Sequence, residues 1–451
     1  VVNVAYVYPW DVVGDPSAPE RLARLGVEAV ALAAVYHSTR AATPYHPAHR
    51  VLDVPYPAFY LPIRPSSWSR LVPASPTWTP ADAYLQARDA LKAAGLHVYA
   101  WTVLTHNSHL GTAHPDLTVR NAFGDPYPYA LCPAHEDVIE YCERLVQEIL
   151  TVGEPDGLIL EACGPMGFGH QSVHEKTSGA DWTSTDTDLL SLCFCTACAD
   201  RYPPNTRDQV RAAIDRTLPS TTTASTPGPR PSPPPAPNTT NSTAAHTTSS
   251  QTGTGTTSRT DPHSTDSTNP HNSIQTDPHG TGPHGTGPQT RVNDDAPHAT
   301  IDEALGRRAD EVRAVRVELS TALRERLIAV ARNSAPSIPI TLHANPDPWA
   351  AGAFAPLPSG EPGADVLVAN CWGDPATDAA RLARLKELSV PGQRVGAYVL
   401  ALPPRPADAE SMADQLRAYA KAGASEFHLY HAGLASPQRL EAVREALRLL
   451  G

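Results

Sequence analysis

Glu161 closes the run Asp156-Gly157-Leu158-Ile159-Leu160, and Gly164-Pro165 breaks the chain three residues later. A turn pair that launches a short, continuous run of branched apolar residues reads as a strand buried on both faces, as in a parallel sheet. In such sheets the C-terminal strand ends carry the chemistry, because the loops there converge. A carboxylate at that point either does acid–base work or pairs with a neighbouring cation, since burying it alone is costly. Burial by itself raises a carboxyl pKa, so the expectation is a protonated Glu161 serving as general acid. A second group of reactive side chains follows in Cys193-Phe194-Cys195-Thr196-Ala197-Cys198. Three thiolates so close suit a tetrahedral Zn²⁺, a structural cofactor whose fourth ligand is open among Cys132, Cys163 and a histidine.

Around these residues the chain alternates strand and helix signals. Strands are expected at 2–8, 27–35, 97–104, 156–161, 338–342, 366–369, 394–402 and 426–430, each a short apolar run between turn or helix-stop residues. Helices are expected at 20–25, 80–94, 135–150, 301–332, 376–389, 407–422 and 436–450, with Gly26, Gly95 and Gly423 as stops. Eight strands alternating with helices predict an α/β fold, a (β/α)₈ TIM barrel. Residues 43–78, rich in Pro and Tyr, form a loop long enough to expect a lid. From 217 to 299 Thr, Ser, Pro, Gly, His and Asn dominate, and Gly-Thr-Gly-Pro repeats crudely at 280–288. Such a segment cannot bury enough apolar surface to offset its ordering entropy, so disorder is expected there. It falls between strands four and five and divides the barrel into halves, 1–216 and 300–451.

The barrel places further side chains at the same rim. Tyr8, Trp10, His37, Trp101, His106, Asn107, His343, Asn370, Trp372, Tyr398 and His431 all fall at or near strand ends. A single Tyr or His at a strand end is ordinarily hydrogen-bonded packing. Collected on one face, aromatic rings with amide and imidazole hydrogen-bonders suit a ring bearing many hydroxyls, and a carbohydrate is the expected partner. Trp10, Trp101 and Trp372 are the expected stacking walls. Hydrolysis of a glycoside needs a second carboxylate, and Asp347, Asp374 and Glu175 are the candidates. A rival reading gathers His37, His106, His343 and His431 with Glu161 as a divalent-metal hydrolase. A third is a sugar-binding barrel without catalysis.

Composition narrows the classes. The 451 residues carry a formal charge of −12, with a pI near 5.9, which argues against nucleic acid or an anionic membrane surface as partner. No apolar run reaches the roughly 18 residues of a membrane span. Seven cysteines, an odd number with three bunched, fit metal binding in a reducing compartment, and a cytoplasmic location is expected.

Leu131-Cys132-Pro133 before a helix, Asp156 to Glu161 on strand four and the Cys193–Cys198 knot together resemble glycoside-hydrolase-like barrels of bacteria. They are similar in outline to the zinc-bearing barrel β-galactosidases. The resemblance implies Cys132, Cys193, Cys195 and Cys198 as zinc ligands and Glu161 as acid/base. Tyr36-His37-Ser38-Thr39-Arg40 and His174-Glu175-Lys176 also resemble motifs of an alanine-rich actinobacterial group of unknown activity. One departure stands out. The commonest barrel glycosidases carry a nucleophilic Glu at the end of strand seven, where this chain reads Tyr398-Val399-Leu400-Ala401-Leu402.

Overall fold

In the computed structural model, which describes residues 2–169, 177, 180–216, 299–403 and 408–450, eight parallel strands close into a barrel. They are β1 (Val2–Val7), β2 (Ala29–Tyr36), β3 (His97–Val103), β4 (Gly157–Glu161), β5 (Ile340–Asn345), β6 (Val366–Asn370), β7 (Arg394–Leu400) and β8 (Glu426–Tyr430). Each pairs with its neighbours in sequence order, and β1 pairs with both β2 and β8, which closes the ring. All eight expected strands are present. Those in the middle of the fold are buried on both faces: every residue of β2 and β4 is buried, as parallel strands wrapped by helices must be. A strand beginning at Gly157 also needs that glycine, because a Cβ there would lie 2.6 Å from the Tyr99 ring on β3.

The helical layer follows the sequence closely, with two corrections. The apolar stripe over 301–332 is two helices, Ile301–Leu305 and Ala309–Ser334, broken where Gly306 takes φ +52°. The strict alternation also fails once: β5 reaches β6 through coil and the two-residue strand Ala355–Pro356, with no helix between. The stops expected at Gly95 and Gly423 hold, both glycines adopting the left-handed φ that ends a helix.

Two antiparallel hairpins project from the connections. Thr39–Ala42 pairs with Val51–Val54, and Thr118–Arg120 pairs with Pro126–Leu131. Much of the stretch expected to be a lid is instead part of the body. Ala58–Phe59 pairs antiparallel with the end of β2, and Phe59, Tyr60 and Leu61 are fully buried. The first half of the chain supplies β1–β4 and the second β5–β8. Apart from Ala299, the segment expected to be disordered lies outside the described residues, as do His170 and His174-Glu175-Lys176. No described helix is long and apolar enough to cross a membrane.

Candidate functional site

Glu161 is the last residue of β4, and strand register brings its partners to it. Leu160 pairs with Leu342 on β5, so the next residue, His343, stands level with Glu161. On the other side Val103 of β3 pairs with Glu161 itself, two residues beyond Trp101. The Trp101 indole N–H donates to Glu161 Oε2 at 2.6 Å, a short charge-assisted bond. His343 Nδ1 lies 3.1 Å from the same oxygen, within ion-pair reach though bent from the ideal hydrogen-bond line. Beyond the strand, Ala162 takes a left-handed φ of +57°, sharp for a residue with a Cβ. The turn is clamped: Ala162 N donates to Ala353 O, and Thr105 Oγ1 donates to the carbonyls of Ala162 and Gly164.

This environment sets the charge of Glu161 against the burial-only expectation. Burial pushes its carboxyl up, but the hydrogen bond and charge of His343, the Trp101 indole and the His37 charge together hold it below the ordinary glutamate value. Glu161 is therefore an ionised carboxylate when folded at neutral pH. A protonated general acid is not what these neighbours favour.

Around Glu161 the barrel mouth is packed with rings. Tyr6 contacts Trp101 edge-on at 4.9 Å and Tyr398 at 4.8 Å. The hydroxyls of Tyr36 and Tyr430 lie 3.2 Å apart. Trp372 stacks on Tyr398 and leans on Tyr430. Trp372, Tyr430 and His37 are half-buried and form the solvent-facing part of the rim. Trp10 and Trp101 do not act as open stacking walls: both are essentially inaccessible, Trp10 lying under Tyr8 at 4.2 Å. Asn107 is buried and has a structural position, accepting from Leu110 N to cap a helix and donating to Tyr141. His37 and His106 pack ring to ring at 4.3 Å. Asn370 Oδ1 accepts from the backbone of Trp372 and so orients that ring's segment.

Of the carboxylates expected as Glu161's partner, the two among the described residues, Asp347 and Asp374, have local roles. Asp374 caps the helix Pro375–Leu388, accepting from Thr377 N and Oγ1. Asp347 is exposed in a turn, accepting from Trp349 N. Asp347 is also near enough to Asp188 to act on it: burial first, then the Asp347 charge, push the Asp188 carboxyl up to about 7. A carboxylate that sequence reasoning passed over is Asp11, directly after β1. It is buried, accepts from Tyr8 N at 2.8 Å and lies 3.9 Å from His431 Nδ1. Burial outweighs the Tyr8 amide and the Arg21 charge and pushes it up to about 7. His431 is fully buried against Tyr8, and burial drives its imidazole down to about 3, hence neutral. The signal for Asp11 was its spacing, three residues past a strand-end tyrosine in Tyr-Pro-Trp-Asp.

A separate cluster gathers the cysteines. The Sγ atoms of Cys132, Cys193, Cys195 and Cys198 lie within 4.8 Å of one another, all buried. Cys132 follows the strand Pro126–Leu131, and its Sγ lies 3.5 Å from Cys198, 3.7 Å from Cys195 and 3.8 Å from Cys193. Cys132, and not Cys163, is the fourth member of the cluster. Among the described residues no other set of His, Cys, Asp or Glu side chains gathers this tightly, so the rim histidines do not form a metal cluster.

The barrel is similar in fold to solved glycoside hydrolases. An α-L-fucosidase isoenzyme 2 from Paenibacillus thiaminolyticus matches all of this chain and 48% of its own, at 9% identity and TM-score 0.47. The catalytic domain of a β-amylase from Paenibacillus polymyxa matches 99% of this chain and 97% of its own, at 12% and 0.48. A β-galactosidase from the psychrophilic Marinomonas ef1 matches 99% and 59%, at 11% and 0.48. The chain thus spans about half of the fucosidase and under two thirds of the galactosidase. No protein-family model and no curated protein sequence matches it. At such identities and scores no residue role rests on the likeness.

Proposed function

We propose that the chain binds a carbohydrate at the C-terminal mouth of the barrel and hydrolyses a glycosidic bond there, with Glu161 as the working carboxylate. The observation that carries this reading is a buried Glu161, fixed by Trp101 and His343, which hold its carboxyl below the ordinary glutamate value, in a mouth of aromatic rings and hydroxyls. An anionic carboxylate suits the positive charge that develops on a sugar ring as its glycosidic bond breaks, or serves as base or nucleophile. Trp372 and Tyr430 offer ring faces, and His37 and Asn370 offer hydrogen-bonding atoms, to a hydroxyl-bearing ligand. The acid that such a reaction also needs has a new candidate in Asp11, whose carboxyl keeps its proton to about pH 7.

A second reading is a barrel that binds sugar without turnover. It is favoured by the local duties of Asp347 and Asp374 and by Tyr398 standing where the usual strand-seven nucleophile would be. Calorimetry with neutral oligosaccharides tests what the two readings share. Wild type is expected to release heat with a defined ligand and Trp372→Ala to bind at least ten-fold more weakly. If no oligosaccharide binds, or if Trp372→Ala binds as wild type does, the mouth is not a sugar site.

The cysteine cluster fits zinc. Tetrahedral Zn–S bonds of about 2.3 Å place sulfurs about 3.8 Å apart, against the 3.5–3.8 Å from Cys132 to its three neighbours. Cys132, Cys193, Cys195 and Cys198 would hold the ion in a closed four-sulfur site. Its contribution there is structural, tying the Thr118–Leu131 hairpin to the chain beyond β4.

A further inference from the structure

A line of buried polar groups runs through the barrel from mouth to base. Glu161 Oε2 lies 3.1 Å from His343 Nδ1. His343 Nε2 lies 2.9 Å from the Tyr6 hydroxyl, and that hydroxyl lies 2.9 Å from His428 Nδ1. His428 Nε2 lies 3.3 Å from Glu426 Oε2, and the other Glu426 oxygen meets Arg394. Glu161 ends β4, whereas Glu426 and Arg394 begin β8 and β7, so the line spans the strands' length. Tyr6, His343 and His428 are fully buried, while the Arg394 side chain is 44% exposed at the opposite end. Gly396 makes room for the line, since a Cβ there would stand 3.0 Å from the His428 ring.

Counting hydrogens gives this line a property that no single residue has. Between the two carboxylates there are four contacts, and each needs one hydrogen, because two bare acceptors at this separation repel. A neutral His343, a neutral His428 and Tyr6 supply one hydrogen each, three in all. We infer that the line holds one excess proton, shared between His343 and His428 through the Tyr6 hydroxyl. With the charge on His343, its Nδ1–H faces Glu161 and its Nε2–H donates to Tyr6, whose own O–H donates to His428 Nδ1. Transfer breaks the His343 Nε2–H bond as a new O–H forms on Tyr6. The original Tyr6 O–H bond breaks as an N–H forms on His428 Nδ1. Tyr6 ends neutral, with its hydrogen turned toward His343, and one positive charge has moved from mouth to base. Nothing else changes.

Both carboxylates are poor holders, and burial, with the His343 and Arg394 charges, pushes the His428 imidazole down against the pull of Glu426, so the charge rests mainly at the His343 end. Glu161 is kept ionised by Trp101 as well as His343, and Glu426 is paired with Arg394. Tyr6 is pushed well above its ordinary value by burial, then by Glu161 and Glu426, so it relays as a neutral phenol. The groups facing the two rings from the packed strands are Glu161, Tyr6 and Tyr398 around His343, and Tyr6, Glu426 and Arg394 around His428. The inference is independent of whether the mouth takes a sugar. It supplies the mouth with a proton that can be replaced from the far end of the barrel.

Ring-nitrogen NMR of the ¹⁵N-histidine-labelled full chain tests it, with His343→Gln and His428→Gln assigning the signals. At about pH 8, above the ordinary histidine value of about 6.5, wild type is expected to show one imidazolium's worth of protonation over these two rings. Tyr6→Phe removes the two middle contacts and leaves two, which two neutral rings satisfy. The imidazolium signal should then be lost. Two neutral rings in wild type at that pH overturn the inference without any variant. So does an imidazolium that survives unchanged in a folded Tyr6→Phe.

Discussion

Replacing His343 with leucine separates the two influences on Glu161, because it removes the imidazole beside the carboxylate and keeps most of the ring's volume. In the wild type, burial pushes the Glu161 carboxyl up, while His343, through hydrogen bond and charge, and Trp101 bring it below the ordinary glutamate value. A hydrogen bond to an ionised group contributes about 1.5–3 kcal/mol, and that is the size of the expected loss. A glutamate held low binds its proton less readily folded than unfolded. Its contribution is therefore present above the unfolded value, about 4.3, and disappears as pH falls through the folded one. Without His343 burial is the leading influence, the folded value rises, and stability is lost as pH climbs through it. His343→Leu should be destabilised by about 1.5–3 kcal/mol more at about pH 8 than at about pH 4. Urea unfolding of wild type, His343→Leu, Glu161→Gln and the double variant at both pH values measures this as a coupling energy. A penalty equal at the two pH values, or one that persists unchanged in the Glu161→Gln background, would refute the claim that His343 holds Glu161 ionised.

Other expectations follow from the same geometry. Asp11→Asn keeps an acceptor for Tyr8 N and removes a carboxyl that burial pushes up to about 7. The stability linked to its proton is fully present below the unfolded value, about 3.9, and lost as pH rises through about 7. The variant should therefore gain on wild type between about pH 4 and 7 in thermal-melt comparisons, and a parallel pH profile would contradict this. Cys195→Ser should lose a tightly bound metal detected by elemental analysis at about one zinc per chain, and should melt lower. Zinc retained at full stoichiometry would remove Cys195 from the site. Gly157→Ala sets a Cβ 2.6 Å from the Tyr99 ring and should cost about 1–3 kcal/mol in urea unfolding; no change would show that the ring moves freely.

Much of the fold was legible because parallel strands, covered on both faces, write themselves as apolar runs. The run Leu158-Ile159-Leu160 and its terminal Glu161 gave both the strand and the site. No helix signal stands between 342 and 366, and β5 reaches β6 without a helix, so only the general rule of alternation overreached there. The cysteine cluster was readable from its spacing except for the choice between Cys132 and Cys163, which depends on the hairpin that delivers Cys132. The rim was only half readable. Strand ends pointed to Tyr8, Trp10 and Trp101 as ligand-facing rings, yet their depth depends on which ring lies over which, and all three are buried. Trp101 serves Glu161 as a donor from beneath. Tyr6 and His428 were hidden for a different reason: each sits inside a strand whose side chains are mostly buried, and neither stands at the strand's end. The pair Glu426 and His428, two apart on one face of a short strand, was the available signal. Glu161's charge was out of reach altogether, since it follows from a register that sets His343 beside it.

The account rests on Glu161 as the working carboxylate of a sugar-binding mouth. Its most direct test is turnover of a panel of aryl glycosides by wild type and Glu161→Gln. The account predicts that wild type releases the aryl group from at least one glycoside and that Glu161→Gln does so about 10²–10⁴-fold more slowly while still binding the sugar. Turnover undiminished in Glu161→Gln would contradict it.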